Sequence, residues 1–341
     1  MTEQSYLQWL VRETPTTWWH DSGEPAELAV GLEHLATGVT TNPVLSARAI
    51  AAQPAGWAAE IDAVNSDLPP EQRAEARTRI VVTHCARELE PVYRRTEGAQ
   101  GYVCAQVNPN KAGDRDVMLA MARRFAAFAP NIAVKLPVTA AGLDVLEDCV
   151  AEGITITATV SFTVPQVLAI AERHRAGIAR AREAGIDPGH CFAVIMIGRL
   201  DDYLRDVAHD QGADVTEEDI RWAGLAVTKR AYSLYQERGY EAMLLIAAQR
   251  GIYHITELAG SNMIMSIHPK TQAMVFQPGV PRECRIDRPI PADAIARLQT
   301  VPDFRRAYAP DGMTPEEFIT YGATQRTLSQ FAEIGWNVLE S

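Results

Sequence analysis

The sequence predicts an α/β chain, a (β/α)8 TIM barrel, on three observations. Short apolar, β-branched or aromatic runs alternate with longer alanine- and charge-rich segments of helical period, the alternation that builds parallel sheets and barrels. Eight such runs are present, at 16–20, 38–41, 102–107, 132–136, 153–159, 192–197, 243–247 and 263–267. The length of 341 residues exceeds the ~250 that such barrels usually take, and 47% hydrophobic residues supply one large core. No Gly/Ser linker, repeat or low-complexity tract marks a second unit. The chain therefore reads as one barrel domain over 1–341, with 269–341 a C-terminal helical extension.

The first run, Thr16-Thr17-Trp18-Trp19-His20, is β-branched and aromatic, and Asp21-Ser22-Gly23-Glu24-Pro25 behind it is a helix-start sequence. The second run ends in Thr40-Thr41-Asn42, and Pro43 stops it. The surplus at 46–100 then reads as helical: Pro69-Pro70 opens a helix, and the residues that follow place charges on one side and apolar groups on the other. The third to sixth runs succeed one another without large additions. A second helical surplus at 200–241 precedes the seventh run, and everything after Pro269 also reads as helical. There Thr314-Pro315-Glu316-Glu317 offers a threonine cap, proline at the first helical position and acids in the first turn. The last helix, through Phe331 and Trp336, carries an apolar face that packs on its own barrel or on a neighbour's, which leaves a homo-oligomer open.

Lys and Arg number 32 against 43 Asp and Glu, and the net charge of −11 repels phosphodiester backbones and anionic lipid, so neither nucleic acid nor membrane is an expected partner. The longest apolar stretches, such as 242–248, fall short of the ~20 residues of a membrane helix, and the first fifteen residues have neither a basic start nor an apolar run. The chain reads as soluble and cytoplasmic. Its five cysteines are odd in number, widely spaced and without a CxxC pair, and read as reduced, buried thiols.

Chemistry concentrates first at Lys135, inside Ile132-Ala133-Val134-Lys135-Leu136-Pro137-Val138. A lysine in an apolar strand loses solvation, which lowers its pKa and yields a neutral amine able to attack a carbonyl. The structural alternative is a lysine paired with a barrel carboxylate. Asp21 follows the first run at the end where a barrel presents its active site, and suits proton transfer; its alternative is a cap for the helix that follows. His20 alternates to the opposite side and reads as packing. Thr40, Thr41 and Asn42 offer hydroxyls and an amide to a polyol. Arg199 and Arg250 each close a run at the same end as Asp21, and two guanidinium forks suit a phosphate, with a rim salt bridge as the alternative for each. There is no GxGxxG, Walker loop or HExxH, and His84, His190 and His268 stand singly, so neither a metal nor an organic cofactor is expected. Asp201-Asp202 after Arg199 offers two acids to a cation, and reads in preference as a solvated helix start.

Together these residues resemble the transaldolase family of Schiff-base-forming class I aldolases. Gly38-Val39-Thr40-Thr41-Asn42-Pro43 is similar to its TTNP signature, residues 132–143 (IAVKLPVTAAGL) to its lysine signature, and residues 153–166 (GITITATVSFTVPQ) to the strand that follows. Gly198-Arg199-Leu200-Asp201 and Leu258-Ala259-Gly260 keep further landmarks, so the resemblance runs from about Trp18 to His268. It implies a (β/α)8 barrel of carbohydrate metabolism, of the pentose phosphate type, that transfers a dihydroxyacetone-type unit from a ketose phosphate or ketone to an aldehyde. It implies Lys135 as Schiff-base nucleophile, Asp21 as acid/base, Asn42 with Thr41 at a substrate hydroxyl, Thr159 at the catalytic water, and Arg199 with Arg250 at the phosphate.

The departures from that pattern are specific. Gln106 stands where transaldolases proper carry glutamate, and resembles instead the small fructose-6-phosphate aldolases of the same family. Thr157 replaces an asparagine, Val194 and Ala248 replace serines, and Met196 replaces the phenylalanine or tyrosine of the two subgroups. Each removes or shortens a polar contact, which points to a less hydroxylated or differently shaped donor. A dedicated aldolase with a divergent donor and a catalytically weakened sugar-phosphate-binding barrel are the alternative readings.

Overall fold

A computed structural model describes residues 4–64 and 67–341. Eight parallel strands close into a barrel in chain order: β1 (Thr17–His20), β2 (Gly38–Val39), β3 (Tyr102–Gln106), β4 (Ile132–Pro137), β5 (Ile156–Thr159), β6 (Cys191–Met196), β7 (Met243–Ala247) and β8 (Ile264–Ile267). β8 pairs back onto β1 over Thr17↔Ile264 to His20↔Ile267, so no edge remains. The expected runs each contain a strand, but β2 and β5 are shorter than their runs. Thr40 and Thr41 lie beyond β2, although the Thr40 N–H still bonds the His20 carbonyl at 2.9 Å, and residues 153–155, turning at Gly153 with φ +79°, lead into β5.

Alternation sends Trp19, Tyr102 and Phe192 into the N-terminal end of the barrel. Their rings meet there, with centroids 4.6 Å apart for Trp19 and Phe192 and 5.5 Å for Tyr102 and Phe192. Gly38 makes room for this plug, since a Cβ at that position would lie 2.5 Å from the Trp19 indole. With the N-terminal end filled by aromatic groups, the polar inward positions lie toward the C-terminal ends of the strands.

The added helices fall where the sequence places them. Pro43–Ala52, Pro54–Asp62 and Pro70–Arg95 precede β3, and Ile197–Asp210 with Glu217–Arg238 precede β7. The region after Pro269 departs from the helical expectation. Helix Pro269–Val275 is followed by 277–291 without helix or strand, because Pro278, Pro281, Pro289 and Pro291 interrupt it and Gly279 turns at φ +86°. Short helices resume at Ala292–Leu298, Pro302–Tyr308 and Pro315–Phe318, where Glu317 accepts from the Thr314 N–H at 2.8 Å.

The C-terminal segment packs on its own barrel. A π turn at Ala332–Trp336 packs on helix Pro43–Ala52, helix Asn337–Glu340 packs chiefly on helix Pro70–Arg95, and helix Gly322–Phe331 packs on helix Ile197–Asp210. Trp336 is fully buried, Arg77 donates to the Leu339 carbonyl at 2.9 Å, and Gly335 approaches so closely that a Cβ would stand 2.7 Å from the Val44 nitrogen. The thiol expectation holds for Cys85, Cys104, Cys149 and Cys191; Cys284, on the proline-broken segment, is exposed instead. Among the described residues no helix is long and apolar enough to cross a membrane.

Candidate active site

Lys135 sits in β4, in register with Gln106 of β3 on one side and Thr157 of β5 on the other. It is buried, and its Nζ donates to the Thr41 carbonyl at 3.0 Å. Burial lowers its pKa, Arg199 adds to the fall, and Cys104 and Asp21 oppose it. No carboxylate among the described residues ion-pairs with it, so the paired structural lysine is not what this barrel contains. The residues around the amine hold one another: Thr41 Oγ1 donates to the Cys104 carbonyl at 2.7 Å, and Cys104 Sγ donates to Thr157 Oγ1 at 3.3 Å.

Asp21 follows β1 and continues its ladder, its N–H bonding the Ile267 carbonyl at 3.2 Å. Its Oδ1 accepts from Thr40 Oγ1 at 2.7 Å, and Thr40 Oγ1 also contacts Ser266 Oγ. The capping alternative is not realised, since Glu24 is the N-cap of helix Pro25–Glu33 and no side chain caps it. His20 is packed in the wall, where its Nδ1 accepts from Gln272 at 3.0 Å.

Two buried polar atoms of the barrel interior have no protein partner, Gln106 Oε1 and Thr159 Oγ1. Buried groups of this kind are usually satisfied, so a water or substrate hydroxyl is the natural complement here. Met196, which ends β6, is buried beside Ala247 in register. Asn42 spends its carbonyl oxygen on the Leu45 N–H at 3.0 Å as N-cap of helix Pro43–Ala52, leaving its amide N–H groups as donors.

A cavity of about 390 Å³ opens at the C-terminal end of the barrel, and Asp21, Asn42, Arg199 and Arg250 line it. Lys135, Gln106, Thr157 and Thr159 do not line it and are buried in the interior. The two arginines differ. Arg199 donates to Gln330 Oε1 and lies over the Phe331 ring at 5.2 Å, and burial with repulsion from Arg250 pushes its pKa down to about 10. Arg250 forms the rim salt bridge, with Nε and NH2 at 2.8 and 2.6 Å from Asp202 Oδ2 and NH1 donating to the Ala248 carbonyl at 2.8 Å.

The Asp201-Asp202 pair is not a solvated helix start. Asp202 faces the rim, but Asp201 turns inward and is fully buried, accepting from the Gly224 N–H at 2.8 Å. His254 Nε2 lies 2.9 Å from Asp201 Oδ2. The Arg250 N–H donates to His254 Nδ1 at 3.1 Å, which leaves Nε2 as the ring nitrogen beside that carboxylate. The dyad thus ties the start of helix Ile197–Asp210, which carries Arg199, to the loop that carries Arg250.

Sequence reading missed Ser266, Arg48, His268, Lys270, Gln330 and Phe331 as site residues, the last five of which line the cavity. Ser266 had a signal, a hydroxyl at an inward position of an apolar run. Gln330 and Phe331 had none, because only the docking of the C-terminal segment brings them to the mouth. No group of three or more His, Cys, Asp and Glu side chains suited to hold a metal ion occurs among the described residues.

Residues 18–316 match the family described as transaldolase/fructose-6-phosphate aldolase. A transaldolase of Neisseria meningitidis serogroup A is 31% identical over 329 residues, covering 92% of this chain and 86% of the relative. Transaldolases of Mycolicibacterium paratuberculosis and Thermobifida fusca are each 30% identical; the matches cover 72% of both chains for the first, and 67% of this chain but only 63% of the relative for the second. With most of the barrel spanned by these matches, the chain belongs to the transaldolase/fructose-6-phosphate aldolase family.

Proposed function

We propose that this protein is a class I aldolase of transaldolase type, which forms a Schiff base between Lys135 and a ketose phosphate and transfers a three-carbon unit to an aldehyde without a metal or organic cofactor. The observation that carries the reading is the buried Lys135 amine, depressed in pKa by desolvation and free of a carboxylate partner. Its neutral form attacks the ketone carbon, and loss of water gives an iminium. Asp21 takes the proton of the hydroxyl two carbons away, the intervening carbon–carbon bond breaks, the aldehyde product leaves, and the electron pair is held as an enamine. Attack of the enamine on a second aldehyde, followed by hydrolysis, completes transfer.

Gln106 favours a second reading within the same chemistry. An amide orients a water but carries no proton, so protonation and hydrolysis of the enamine, rather than transfer, complete a turnover of the fructose-6-phosphate aldolase kind. Gln106 Oε1 and Thr159 Oγ1, both buried without a protein partner, support that reading.

Borohydride trapping with fructose 6-phosphate, dihydroxyacetone and hydroxyacetone in turn, followed by peptide mapping, tests the proposal. The expected result is an adduct on Lys135 that Lys135→Ala abolishes. A folded protein that gives no adduct with any of the three ketones is a binding barrel, and the Schiff-base reading is then wrong. Product analysis with and without an acceptor aldehyde separates transfer from hydrolysis.

A further inference from the structure

The turn that follows β5 holds a backbone conformation that its own residue disfavours. Val160 has φ +56°, in the left-handed region, where a β-branched side chain is strained against its own backbone. It directly follows Thr159, whose Oγ1 has no protein partner. Strain of this kind persists only where the surroundings over-determine it, and it concentrates at sites of function.

Here the surroundings are two clamps and a brace. Before the turn, the Thr159 carbonyl accepts from the Val138 N–H at 2.8 Å, next to its register partner Pro137. After it, Ser161 is tied to β6 twice: its Oγ donates to the Val194 carbonyl at 2.6 Å, and its carbonyl accepts from the Met196 N–H at 2.9 Å. Gln166, in the first turn of helix Val164–Glu183, braces the residue between them. Its amide N–H donates to the Val160 carbonyl at 3.3 Å, while its Oε1 accepts from the Phe162 N–H at 2.9 Å and from Thr163 Oγ1 at 3.0 Å. Residues 159–164 and Gln166 are fully buried, so solvent does not replace a bond lost from this set. Without the brace Val160 relaxes toward negative φ. Because Ser161 is held on β6, the rotation is taken up at the Thr159–Val160 peptide, and the Thr159 hydroxyl loses its aim.

We propose that Gln166 is a positioning residue, which holds Val160 in the left-handed conformation and thereby aims the Thr159 hydroxyl at the water that hydrolyses the Lys135 iminium. In that step the water oxygen bonds to the iminium carbon and one of its protons passes to nitrogen. The carbon–nitrogen bond then breaks as the second proton leaves the new carbonyl, which returns the ketone and the Lys135 amine. The role rests on the reading of the protein as a Schiff-base enzyme, and it makes Gln166 act on this step without touching the substrate.

Exchange of the C2 oxygen of fructose 6-phosphate with oxygen-18-labelled water tests it, with Lys135→Ala as the blank. Gln166→Leu removes all three bonds and lowers the exchange rate at saturation by about ten- to a hundredfold, with the half-saturating concentration little changed. Thr159→Val gives a loss of the same order, and the double variant is no slower than the slower single one, because both changes remove the action of one hydroxyl. Val160→Gly relieves the strain, since glycine takes positive φ freely, and in the Gln166→Leu background it restores most of the rate. Circular dichroism and thermal melts establish folding, and where Gln166→Leu does not fold, Gln166→Glu, which keeps the acceptor but not the donor to Val160, takes its place with a loss in the same direction. Losses that multiply in the double variant, or a folded Gln166→Leu that exchanges oxygen at the wild-type rate, overturn the positioning role alone. A wild type that exchanges oxygen no faster than Lys135→Ala overturns the Schiff-base reading and this role with it. The brace has its own readout in amide hydrogen exchange, where Phe162 loses protection in Gln166→Leu; protection that is unchanged overturns the proposal whatever the state of Lys135.

Discussion

His20 makes the barrel wall sensitive to acid by an amount that follows from its surroundings. The ring is fully buried, and burial, with repulsion from His268, lowers its pKa from 6.5 to about 4. Between those two values the unfolded chain binds a proton that the folded chain refuses. Stability contributed by the neutral ring is therefore complete above pH 6.5 and is lost as the pH falls toward 4. At about 1.4 kcal/mol per pH unit the loss reaches roughly 3 kcal/mol at pH 4, and roughly 2 kcal/mol at pH 5. Against a typical total of ~5–15 kcal/mol this is a substantial share. Urea unfolding of the wild type and of His20→Gln at a series of pH values isolates it, because the surface carboxylates contribute equally to both. The variant is less stable at neutral pH, and the gap narrows by roughly 2–3 kcal/mol as the pH approaches 4. A gap that stays constant refutes the reasoning. The local consequence is also defined: Gln272 donates to His20 Nδ1 and to the Ile267 carbonyl, and a protonated ring removes the first of these anchors from helix Pro269–Val275, which carries Lys270.

The remaining expected outcomes concern Lys135 and Gly335. The rate of borohydride trapping at Lys135 rises with pH and levels off below the ordinary lysine value of 10.5, since the depressed pKa frees the amine early; a midpoint at 10.5 contradicts the desolvated environment. Across the same window the unfolded chain holds the proton longer, so wild-type stability gains with rising pH and Lys135→Met lacks that gain. Gly335→Ala places a Cβ 2.7 Å from the Val44 nitrogen and forces the C-terminal turn off helix Pro43–Ala52, at a cost of roughly 1–3 kcal/mol in urea unfolding. The same variant pulls Gln330 and Phe331 from the cavity mouth and shifts the apparent affinity for a phosphorylated donor; a thermal melt and affinity both unchanged show that the segment does not shape the site.

What the sequence made legible, and what it hid, divides by whether a residue breaks its local pattern. Lys135 is conspicuous because a cation interrupts an apolar run, and the fold places it in the interior accordingly. The prolines of 278–291 broke a pattern too, and a stricter reading of them removes the helices expected there. Asp201 and Asp202 obey every rule for a solvated helix start; their opposite fates come from helical geometry, which turns one toward Gly224 and His254 and the next toward Arg250. Arg199 and Gln330 stand 131 residues apart, and no local signal joins them. Arg48 and Lys270 are the limiting case. Each is an unremarkable charged residue on an exposed helix face, and by composition each counts only toward solubility. What distinguishes them is the cavity they share with Arg199 and, among the described residues, the lack of an ion-pair partner for either. Unpaired positive charge converging from two helices in an acidic chain is a relation between distant residues, so it becomes visible only once the barrel has closed.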